Sequence, residues 1–135
     1  MLVLGDPVVD TLSTEDLDAL YDYVSTKGGA IFANVNSQGQ GALALVNRLL
    51  GNENKFSTNS GDCKRVTPMK VAQRAFIEDS EKKVEDILNT CHSGLTCNGG
   101  ISLAKDGSLT PSTAQTALCY AEVGVGRVSL TDCLL

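Results

Sequence analysis

The 135 residues are enough for one domain that buries its own core without a metal or disulfide staple. With no Trp, three Phe and three Tyr, that core has to be built from Leu, Val, Ile and Ala, and a base-stacking platform for nucleic acid is excluded. The formal charge of −5 is uneven: residues 1–27 hold six acids and one Lys, while residues 48–75 hold Arg48, Lys55, Lys64, Arg65, Lys70 and Arg74 against Glu53 and Asp62.

The apolar run Met1 to Leu4 has no basic leader, and Asp6 and Asp10 interrupt it too early for a signal peptide. No stretch reaches the roughly 20 apolar residues of a membrane-spanning helix. A soluble chain of the cytoplasm or of a virion, with no membrane partner, is expected. Residues 1–12 should form an extended arm or a short edge strand, because Pro7 cannot sit in a central strand.

A helix is predicted from Ser13 to Lys27. Ser13 can cap it and Asp16 can answer as in a capping box, with Glu15 and Asp18 also near the positive end of the helix dipole. Leu17, Leu20, Tyr21 and Val24 form its apolar stripe, and Gly28 stops it. Ala30 to Val35 fits a strand or a buried helix equally well. Ala42 to Leu50 reads as a helix with Ala42, Leu45, Val46 and Leu49 on one face and Gly51 as its stop, and 52–66 reads as a surface loop.

The longest self-consistent segment runs from Thr67 to Cys91. Thr67 as cap and Pro68 at the first helical position predict a helix start, and Met69, Ala72, Phe76, Val84, Ile87, Leu88 and Cys91 recur near helical spacing. Lys105-Asp106-Gly107 signals a hairpin. Thr110-Pro111 opens a further predicted helix over Ser112 to Glu122, burying Ala114, Ala117, Leu118 and Ala121; Val125 to Leu130 suggests a last strand, and 131–135 an apolar terminus. Together these predict a single, mainly α domain over 1–135 (α+β minor), with about four helices and a short β-hairpin near its C-terminus.

Three patterns invite chemistry. Gly39-Gln40-Gly41-Ala42-Leu43-Ala44 matches a dinucleotide fingerprint, but no second strand ends in an acid at the required distance, and a glycine-rich helix start explains it. Cys91, His92 and Cys97, with Cys63 from afar, are the one Cys/His group, a weak alternative metal or thiol site that lacks a CxxC pair or a second His. Five irregularly spaced cysteines do not look like a secreted disulfide framework, so reduced thiols are expected, with Cys119 as a small core residue. Third, Cys63-Lys64-Arg65, with Val46-Asn47-Arg48-Leu49-Leu50-Gly51-Asn52 upstream, is similar to phycobiliprotein segments whose Cys-x-Arg-Asp motif carries a linear tetrapyrrole. Val66 stands where that motif has Asp, and no family is assigned.

With no complete catalytic set, no cofactor and no metal site, the expected function is a non-enzymatic structural or assembly subunit, a coat, filament or complex component. Its apolar ends and opposed charges would make self-complementary contacts with itself or other subunits. The alternatives are a binding module for an anionic ligand or partner through Arg48, Lys55, Lys64, Arg65, Lys70 and Arg74, and a small metal or thiol protein on Cys63, Cys91, His92 and Cys97.

Overall fold

A computed structural model of the chain describes residues 1–35, 41–51, 55–59, 66–68, 90–91, 94–106 and 116–134. In chain order they form β1 (Leu2–Gly5), α1 (Asp6–Val9), α2 (Thr14–Ser25), β2 (Ala30–Asn34), α3 (Gly41–Leu50), β3 (Phe56–Thr58), β4 (Val66–Pro68), β5 (Thr90–Cys91), β6 (Leu95–Cys97), β7 (Ile101–Asp106), β8 (Thr116–Val123), β9 (Gly126–Thr131) and β10 (Cys133–Leu134). This corrects the mainly α expectation, and the description "helical" with it. Among the described residues two helices exceed four residues, and they lie on an eight-stranded mixed sheet, an α/β arrangement.

The sheet runs β1-β2-β9-β8-β6-β3, with β7 also on β8 and β4 on β7. β1, β2 and β9 are parallel, and every other pairing among the described residues is antiparallel. The chain steps from β1 to β2 to β9 in one direction, so crossovers of one hand place α2 and α3 on the same face. Registers carry that face across the strands. Ala121, Val128, Ile31 and Leu2 make one row, and Cys119, Leu130, Ala33 and Leu4 the next. On them pack Val24 of α2 and Ala42, Leu43, Leu45, Val46 and Leu49 of α3. The opposite face carries the rows Tyr120, Ser129, Phe32, Val3 and Leu118, Thr131, Asn34, Gly5. A second cluster of Leu103, Ala104, Ala117, Leu118 and Cys133 lies against Phe32 and Tyr120.

Several local readings hold. Ser13 caps α2 in a full capping box: its Oγ accepts from the Asp16 backbone N–H at 3.2 Å, and the Asp16 carboxylate accepts from the Ser13 N–H at 2.9 Å. In the stripe, however, the ring packed on the core is Tyr23, and Tyr21 is exposed. All four predicted contact residues of α3 are buried, and residues 2–5 are an edge strand. The ambiguous run 30–35 resolves as a strand in the sheet interior, flanked by β1 and β9.

Others are overturned. Thr67 and Pro68 belong to β4 rather than to a helix start, and Cys91 lies in β5; 69–89 is outside the described residues. Pro68 is tolerated because β4 has a single strand neighbour, β7, among the described residues, so a missing N–H need not break a ladder. The loop expected over 52–66 contains β3. The helix expected over 112–122 is strand β8 from Thr116 onward. β8 and β9 close through Gly124-Val125, with Gly124 at φ +60° and Val125 not in the positive region, a II′-type turn that matches strand twist. The apolar C-terminal segment, by contrast, docks on the domain as one of its two expected outcomes: Thr131, Asp132 and Cys133 are buried.

Candidate functional site

In open α/β sheets ligands favour the carboxyl ends of parallel strands, which here are the ends of β1, β2 and β9. Asn34 and Thr131 are register partners there, followed by Val35 and Asp132. Their polar groups are engaged in architecture. Val35 N–H donates to the Thr131 carbonyl at 2.9 Å, and Thr131 Oγ1 donates to the Ala117 carbonyl at 2.9 Å while accepting from the Cys133 N–H at 3.2 Å. Asn34 Nδ2 donates to the Cys133 carbonyl, and Asp132, 2% exposed, is also engaged. Among the described residues no buried side-chain polar atom lacks a partner. This cluster therefore serves to anchor the C-terminal segment to β2 and β8. Sequence reasoning passed over it, although polar residues just beyond two apolar runs were its visible signal.

The fingerprint residue Gly41 opens α3, and β2 precedes it, so the strand-then-helix context exists; Gly39 and Gln40 lie outside the described residues. Of the basic set, Arg48 donates from Nη2 to Asp18 Oδ1 at 3.2 Å, joining α3 to α2. At this point the acidic front and the basic centre meet within one chain. Lys55 is exposed, and Lys64, Arg65, Lys70 and Arg74 lie outside the described residues.

The Cys/His group is divided. Cys97 of β6 is bonded to Cys119 of β8, with Cα atoms 5.5 Å apart, which removes its thiolate from any metal set. Cys133 is also a half-cystine, and the β10–β5 register sets it opposite Cys91. Cys63 and His92 lie outside the described residues, and no group of three His, Cys, Asp or Glu suited to a metal occurs among the described ones. With Cys97, Cys119 and Cys133 oxidised, the expectation of reduced thiols is corrected. Irregular spacing concealed this, because strand pairing brings distant cysteines together where sequence distance cannot.

A further feature is the free side of β1. Among the described residues its one strand neighbour is β2, and Met1, Leu2, Val3 and Val8 are exposed. Val3, on the side facing away from the helices, is 57% exposed. The fold and these features define a mixed α/β domain with, among the described residues, an open parallel edge and half-cystines at Cys97, Cys119 and Cys133. Compared with protein-family models, with curated proteins and with solved structures, the chain finds no match. No helix among the described residues is long and apolar enough to cross a membrane.

Proposed function

We propose that this chain is a non-enzymatic assembly subunit whose contact surface is the outer edge of β1, and that the partner is a second copy. The observation that carries this reading is β1, uncharged and an edge strand among the described residues, in which Leu2 and Val3 are exposed and bordered by exposed Met1 and Val8. Soluble proteins usually blunt such edges with Lys, Pro or a bulge, and β1 contains none of these. One strand laid antiparallel to its own copy across a two-fold axis satisfies both rows of backbone donors and acceptors, so the edge is self-complementary. The patch is short, and association should be weak and concentration-dependent. The cystines favour an oxidising setting for this subunit over the reducing cytosol.

The anionic-ligand reading draws less support, since Arg48 is already held by Asp18. Sedimentation of the wild type and of Val3→Lys over a wide concentration range tests the proposal. Self-association in the wild type and its loss in the variant are expected, and a wild type that stays monomeric throughout would refute it.

A further inference from the structure

The β3–β6 ribbon is joined to the rest of the sheet differently from every longer strand. Among the described residues β8 meets β9 through six register pairs and β2 meets β9 through five, while β6 meets β8 through one, Leu95 with Thr116. The Cys97–Cys119 bond joins the same two strands. Within itself the ribbon is coherent: β3 and β6 share three register pairs, the Asn59 N–H donates to the Gly94 carbonyl at 2.7 Å, and Thr96 Oγ1 donates to Asn59 Oδ1 at 3.0 Å. Non-covalent contacts among the described residues also hold it down, Leu95 being 2% exposed in the helix-side core. Phe56 is inserted in the helix-side core at 1% exposure, and the Asn47 side-chain amide of α3 mimics a strand, accepting from Phe56 N–H at 2.7 Å and donating to the Phe56 carbonyl at 3.0 Å.

We infer that Cys97–Cys119 is a redox latch: while it is intact the ribbon stays closed, and its reduction lets β3 and β6 open as a unit, uncovering Phe56 and the Asn47 amide. Cys119 is fully buried and Cys97 is partly exposed, so the Cys97 side is the one from which a reductant approaches the bond. A dithiol supplies the electrons. One thiolate attacks Cys97 Sγ and the S–S bond breaks with its electron pair on Cys119 Sγ, which takes a proton; the second thiol then displaces Cys97, which takes the other, and the reductant leaves as its cyclic disulfide. The bond closes a sequence separation of 22 residues, and losing that constraint raises the population of the open ribbon about a hundredfold.

Hydrogen exchange of the full chain, before and after dithiothreitol, tests this, with the Cys97→Ala/Cys119→Ala double variant separating this bond from that of Cys133. In both cases exchange of amides 56–58 and 95–97 should quicken about a hundredfold, while β2 and β9 keep their protection. Unchanged exchange in the ribbon of the double variant, or equal acceleration across β2, β8 and β9, would overturn the latch, the second by showing a global staple.

Discussion

Asp16 shows how one side chain fixes the start of an element. Hydrogen bonds from the Ser13 backbone, then from its side chain, hold the Asp16 carboxyl below its ordinary value of 3.8. Asp22 is lowered as well, first by its hydrogen bond from Lys27, whose Nζ lies 3.0 Å away. A carboxylate whose folded-state pKa is depressed contributes stability that is complete above the unfolded value and is lost as the pH falls through the folded one. Asp16→Asn should therefore be less stable than the wild type at neutral pH, and urea midpoints should converge as the pH falls through the lowered Asp16 pKa. Ser13→Ala, which removes the cap acceptor, should lower stability by about 1 kcal/mol in the same measurement. Asn47 matters for another reason. Asn47→Ala leaves both Phe56 backbone groups without their partner beside a buried ring, and a loss of about 1–3 kcal/mol in denaturant unfolding is expected.

At the scale of elements, caps and helical spacing made α2 and α3 legible, because each helix buries one stripe and its ends carry local signals. Strand β8 was not. Ala117, Leu118 and Ala121 fit helical spacing, and both faces of β8 bear buried residues, so the polar alternation that marks a half-exposed strand is missing. What distinguished it was the turn: Gly124-Val125, followed at once by Gly126-Arg127-Val128, is hairpin chemistry rather than a helix stop. Gly126 also lies against backbone, where an added Cβ would come within 2.1 Å of the Val24 carbonyl oxygen and 2.4 Å of that of Gly29. Gly126→Ala should push β9 away from the end of α2 and destabilise the fold by about 1–3 kcal/mol or more, read by thermal unfolding. Thr67-Pro68 misled for a related reason: the same dipeptide that opens a helix is also at home at the end of an edge strand.

Over the whole molecule, pairing between segments far apart in sequence decides the architecture, and such pairing leaves little trace in local patterns. β1, β2 and β9 form one parallel set although about 90 residues separate the last two, and Cys97 finds Cys119 only because β6 and β8 become neighbours. The same distance explains why the candidate sites shifted. A Cys/His group adjacent in sequence was split among β5, β6 and undescribed positions, while Asn34, Thr131 and Asp132 converged from opposite ends of the chain. An edge strand was expected from Pro7, but Pro7 lies in α1 and outside β1, so it does not itself set the strand at the edge; that the outer side of β1 stays uncovered among the described residues emerges only from the strand order. The most direct measurement is sedimentation velocity of the oxidised chain, wild type beside Val3→Lys. A wild type that shifts from monomer towards dimer as its concentration rises, beside a variant that does not, is the expected result; a wild type of constant monomer mass, or a variant that associates equally well, would contradict assembly through β1.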